Sequence, residues 1–105
     1  MSEPSAAPEL YRVVYSERVR QALKELLTRA QACGQGRLAL DALKEIDRLL
    51  HLYPQFGEPR RDLPVLGVTI WSGTVPPLVV EYRIDETHRM VFIVGPLKVL
   101  PRSGF

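Results

Sequence analysis

Two apolar, β-branched runs, residues 78–84 and 90–94, lie close together near the C-terminal end of the chain. They are separated by the polar stretch Asp85-Glu86-Thr87-His88-Arg89. That spacing predicts a β-hairpin with a longer loop. Within the first run Leu78, Val80, Tyr82 and Ile84 share one face, and Val79, Glu81 and Arg83 share the other. The second run is apolar on both faces, as expected of a strand with neighbours on either side.

The N-terminal half repeats on a different period. Residues 10–15 alternate, with Tyr11, Val13 and Tyr15 on one face and Arg12 and Val14 on the other, which predicts a first strand. Ser16 stands where an N-cap belongs and Glu17 follows where a negative charge suits the helix dipole. From there Val19, Ala22, Leu23, Leu26, Leu27 and Ala30 form the apolar stripe of a first helix. Cys33-Gly34-Gln35-Gly36 stops it, and a second helix over 37–52 repeats the stripe with Ala39, Ala42, Leu43, Ile46, Leu49, Leu50 and Tyr53. The two helices read as an antiparallel hairpin that needs a sheet to cover it.

Pro54 ends the second helix, and residues 54–64 read as a proline- and charge-rich loop whose length suggests more than a connecting role. Residues 65–72 alternate Leu66, Val68 and Ile70 against Gly67, Thr69 and Trp71, which predicts the second strand. Residues 72–77 then turn the chain, and residues 95–105 are expected to be irregular or a short strand end. The order is β-α-α-β-β-β. The expected class is α+β, a helical hairpin packed on one face of a mostly antiparallel four-stranded sheet. The other face, carrying Thr69, Trp71, Glu81 and Arg83, is the expected working surface.

Composition narrows the class of function. At 105 residues, 46% hydrophobic and 25% charged, the chain is expected to be one domain over 9–105 behind a disordered tail, 1–8. No apolar run is long enough to cross a bilayer and the tail lacks the features of a secretory signal, so no membrane partner is expected. The single cysteine, Cys33, forms no internal disulfide and offers no metal cluster. The expected location is cytoplasmic, and no cofactor or metal is expected. A net charge of +2 and a pI near 8.9 are only mildly basic, so the position of each arginine matters more than their number.

The opening YRVVYSERVRQALKEL, the helical hairpin and the stretch PLVVEYRIDETHRMVFIV resemble the RelE/ParE family of bacterial toxins from toxin–antitoxin pairs. The resemblance covers nearly the whole chain beyond its tail. It implies a cognate antitoxin partner, one that wraps the toxin with a helix or an added strand. It also implies one of two mechanisms: RelE-like members cleave mRNA in the ribosome, whereas ParE-like members bind DNA gyrase without cutting RNA. The first makes ribosome and mRNA the partners and the protein an endoribonuclease. An inactive toxin-fold interaction protein is the third possibility. RelE-like nucleases place an arginine on the third strand and a basic residue near the end of the fourth. By that resemblance Arg83 takes the first role only after a register shift, and Lys98 or Arg102 the second. The usual arginine position is here Leu78, and no histidine or tyrosine follows Val94.

Cleavage by a 2′-hydroxyl needs a proton acceptor, a proton donor to the leaving oxygen and cations on the phosphate. Glu81, Arg83 and Lys98 are the candidate catalytic residues, and Arg60, Arg61, Trp71 and Arg102 the candidate RNA contacts. Each also has a plainer reading. Glu81 with Arg83 reads as a solvated charge pair, Arg60 and Arg61 as partners of Glu58 and Asp62, and Trp71 as cover for the sheet. His88 reads as a loop residue without a local partner, Cys33 as a small buried residue, and Tyr11, Tyr15, Tyr53 and Tyr82 as core packing.

Overall fold

Ser16 caps a helix as its position predicts: its Oγ accepts from the Val19 backbone N–H at 3.2 Å, with Glu17 in the first turn. The computed structural model describes residues 10–65 and 68–105, with the backbone alone for 61–65, so the expected tail, 1–8, lies outside the described residues. The capped helix is α1, Glu17–Ala32, and it follows a short strand β1, Arg12–Val14. Gly34, at φ 75°, allows the tight turn into α2, Gly36–Leu52. The buried stripe is the expected one: Val19, Leu26 and Ala30 from α1, and Ala39, Ala42, Ile46 and Leu50 from α2. No helix among the described residues is long and apolar enough to cross a membrane.

After a single 3₁₀ turn, Pro54–Phe56, come β2, Glu58–Val65; β3, Val68–Val75; β4, Leu78–Asp85; β5, Met90–Ile93; and β6, Lys98–Val99. The sheet order is β1-β5-β4-β3-β2. β1 runs parallel to β5, and the other pairs are antiparallel. β4 is the axis: β3 covers one edge, while β5 and then β6 occupy successive lengths of the other. Leu78, Val80, Tyr82, Val91 and Ile93 meet the helical stripe in one apolar cluster. This is the expected α+β arrangement with a helical hairpin and a mostly antiparallel sheet, but with six strands among the described residues in place of four.

The extra strands come from two segments that composition disguises. Residues 54–64, expected as a loop, contain the 3₁₀ turn and most of β2. That strand pairs with β3 alone, and an edge strand tolerates the prolines at 59 and 64 that a central one would not. β6 is the short strand end expected in the tail.

The face assignment of β3 differs from the expected one. Trp71, Gly73 and Val75 stand opposite Tyr82, Val80 and Leu78, so they lie on the helix-covered face. Ile70 is buried on the other face, outside the main cluster. Gly73 contributes no hydrophobic signal to the period, and the Phe56 ring takes the space a side chain would fill there: a Cβ on Gly73 would sit 2.4 Å from Phe56 Cζ. Three smaller expectations also change. Tyr53 is 57% exposed, because α2 ends at Leu52 and a non-helical backbone, φ −151° and ψ 72°, turns it out of the helical stripe. Cys33 is exposed beyond the last turn of α1. His88 does have a local partner, Asp85, with Nδ1 2.8 Å from Oδ2.

Candidate functional site

The open face of the sheet is defined by register. Glu58 lies opposite Ser72, and Ser72 opposite Glu81, so one row crosses three strands. Lys98 lies opposite Val79 one step along. Strand alternation puts Arg60, two residues beyond Glu58, on this same face. The result is a carboxylate between two cations. Glu81 Oε2 is 3.4 Å from Arg60 Nη1, and Oε1 is 3.6 Å from Lys98 Nζ. The Glu81 side chain keeps only 21% of its surface, whereas Lys98 keeps 69%. These contacts are long, and pairs of this exposure contribute at most about 1 kcal/mol each to folding. Their significance is chemical: a proton acceptor and two cationic donors converge from β2, β4 and β6. Three of the residues singled out in sequence, Arg60, Glu81 and Lys98, thus come together.

Arg83, two residues further on β4, projects from the same face as Glu81, about 7 Å along the strand. Its guanidinium carbon lies 4.0 Å from the ring centre of Phe92, its register partner on β5. A planar cation on an aromatic face is held in place without losing its outward donors. The plainer reading of Glu81 and Arg83 as a simple pair is therefore replaced by two separate sets of partners. Phe92 as a support was invisible to a one-dimensional reading, because it appears only as one more apolar residue of a buried strand.

Trp71 is not on the open face with Glu81; it stands opposite Tyr82 and packs against the core, partly exposed. It marks the last rung of the β3–β4 ladder. Beyond it the arms of the two strands, 68–70 and 83–85, diverge while remaining paired to β2 and β5. The fork encloses a cleft of about 420 Å³ lined by Thr69, Trp71, Arg83, Ile84 and Asp85 among others. Trp71 and Arg83, on opposite faces of the sheet, both reach it because the sheet is open there.

Of the other expected contacts, Arg102 is exposed in the C-terminal turn after β6 with φ 64°, and the side chain of Arg61 lies outside the described residues. A polar set that sequence reasoning missed ties β1 to the 3₁₀ turn and the β4–β5 loop. The Tyr11 hydroxyl donates to Glu86 Oε1 at 2.6 Å and accepts from Arg89 at 3.0 Å, while Gln55 donates to Glu86 Oε2 at 2.6 Å. Spacing offers no signal for it, since its members are scattered along the chain. Asp85 caps the loop, and its hydrogen bonds from the His88 ring and backbone hold its carboxyl below the ordinary carboxylate value.

Two tyrosines are fixed as neutral donors. Tyr82 is fully buried and donates to the Pro54 carbonyl at 2.5 Å. Burial pushes its phenol up to about 12, opposed by the backbone N–H of Gly57. Tyr15 donates to Asp47 Oδ1 at 2.5 Å, and burial followed by the Asp47 contact raises its phenol as well. Tyr15 and Asp47 border an apolar groove beside the helices, which Leu23 and Leu43 line and Arg20 and Lys44 rim.

No protein-family model matches the chain, and no curated protein matches it. Among solved structures it is similar to a chain in the crystal structure of the toxin–antitoxin complex RelBE2 from Mycobacterium tuberculosis. The two are 23% identical with a TM-score of 0.56, and the match covers 86% of this chain and 98% of that one. Likeness at this level of identity speaks to architecture, and in architecture the chain has a RelE-like fold.

Proposed function

We propose that the chain is the toxin of a toxin–antitoxin pair and inhibits translation by ribosome-dependent mRNA cleavage. The observation that carries this reading is the Glu81 carboxylate held between Arg60 and Lys98, with Arg83 further along the same face. Glu81 takes the proton from a ribose 2′-hydroxyl, whose oxygen attacks the adjacent phosphorus. The guanidiniums of Arg60 and Arg83 stabilise the charge gathering on the phosphate oxygens, and Lys98 gives a proton to the departing 5′-oxygen. The step leaves a 2′,3′-cyclic phosphate and a free 5′-hydroxyl. No histidine or tyrosine is needed at the C-terminal end in this scheme, because the carboxylate and the ammonium divide the proton transfers. The antitoxin is proposed to dock on the groove lined by Leu23 and Leu43, whose apolar floor and charged rim suit an amphipathic segment.

Induced expression of the chain alone in bacteria tests this. Growth arrest with new mRNA 5′ ends is expected, and Glu81→Gln should relieve it by a factor of 100 or more while the protein stays folded. Arrest without new mRNA ends but with DNA-damage signalling would assign the chain to gyrase inhibition instead, and no growth effect at all would assign it to an inactive interaction protein.

A further inference from the structure

We infer that the cleft between the diverging arms of β3 and β4 binds one unstacked nucleobase of single-stranded RNA, laid against Trp71. This rests on the reading above that RNA is the target. The cleft is about 420 Å³, within the size range of small-molecule sites. Its walls are an indole and the aliphatic Ile84 and Val68, which suit the two apolar faces of a flat ring. Its rim carries the Arg83 guanidinium, a donor for the polar edge of a ring, and the Asp85 and Glu86 carboxylates, which His88, Tyr11 and Gln55 already hold and which add negative charge there. The two carboxylates argue against a phosphate inside the cleft, since like charges repel there. A nucleobase satisfies all three conditions.

Position along β4 agrees with this. Arg83 belongs both to the cleft and to the open face that carries Glu81, about 7 Å away. An RNA strand with its scissile phosphate at Glu81 and the next phosphate on Arg83 delivers the following base to the fork. The cleft then selects the nucleotide beside the cut, while Arg60, Glu81 and Lys98 act on the backbone. Trp71 serves as a stacking platform at the edge of the core, and its partial exposure there leaves one part of the ring open to a ligand.

Trp71 is the chain's single tryptophan, so its fluorescence reports on this cleft alone. The folded protein is titrated separately with adenosine, guanosine, cytidine and uridine, with ribose 5-phosphate as the phosphate control. Saturable quenching by at least one nucleoside and none by ribose 5-phosphate is expected. Thr69→Arg, which fills the cleft from an exposed position, should weaken nucleoside binding tenfold or more with an unchanged circular dichroism spectrum. Silence with all four nucleosides, an equal response to ribose 5-phosphate, or unchanged binding in Thr69→Arg would overturn the inference. The titration needs neither ribosome nor cleavage. Nucleoside binding without mRNA cleavage in cells would remove the nuclease reading and keep the cleft, and cleavage without nucleoside binding would do the reverse.

Discussion

Arg83 rests on Phe92 across the β4–β5 ladder, guanidinium carbon to ring centre 4.0 Å, with Asp85 and Glu81 as its neighbours two residues away on the same strand. A partly exposed contact of this kind contributes about 0.5–1 kcal/mol. Phe92→Leu keeps the apolar volume but removes the ring face, so Arg83 loses its orientation and keeps its charge. Growth inhibition should fall several-fold in Phe92→Leu and far more in Arg83→Ala, measured by plating efficiency after induction at matched protein levels.

Gly73 and Phe56 form a close-packed pair that the fold depends on, with no room for a methyl group between them. Gly73→Ala should destabilise the protein by about 1–3 kcal/mol through overpacking, read from the urea midpoint. In a Phe56→Leu background the same change should cost markedly less. Additive effects of the two substitutions would show that the ring is not what excludes a side chain at 73.

Tyr82 predicts a stability change at high pH. Its phenol is raised in the folded protein from 10.0 to about 12, so the folded state keeps a proton that the unfolded chain releases. This contribution is fully present below pH 10 and is lost as pH rises through about 12. Tyr15, raised in the same direction, adds to the loss. Urea midpoints of the wild type should fall over that window, and those of the Tyr15→Phe, Tyr82→Phe double variant should fall less. At neutral pH Tyr82→Phe should itself cost about 1–2 kcal/mol, because the Pro54 carbonyl loses its donor.

Ser16 offers the simplest local test. Ser16→Ala removes the side-chain acceptor for the Val19 N–H and should cost about 1 kcal/mol, while Ser16→Asp should be neutral or slightly stabilising at the positive end of α1. Thermal unfolding followed at 222 nm distinguishes the two.

Much of the fold was legible because periodicity is a local property. The stripes of α1 and α2 and the alternation of Leu78, Val80 and Tyr82 each come from a few consecutive turns or rungs, and all three segments pack as their patterns require. Expectation failed where a neighbour far along the chain sets the pattern. Gly73 looks like a gap until Phe56 is placed over it, and β2 looks like a loop until its pairing with β3 is known. The candidate site divides the same way. Glu81 and Arg83 share a face by simple alternation, but the meeting of Arg60 with Lys98 around Glu81 depends on β2 and β6 being brought to either side of β4 through the register of three ladders.

That dependence bears on when the charge arrangement exists at all. Arg60, Glu81 and Lys98 are distant along the chain and converge only once β6 has closed onto β4. A partly made or partly melted chain therefore carries the charges without the arrangement. Loss of the short β6 pairing alone, Leu78 with Val99 and Val79 with Lys98, would withdraw the lysine and leave the rest of the sheet standing. The least extensive ladder among the described residues thus gates the arrangement: the three charges stand together only while its two rungs are made.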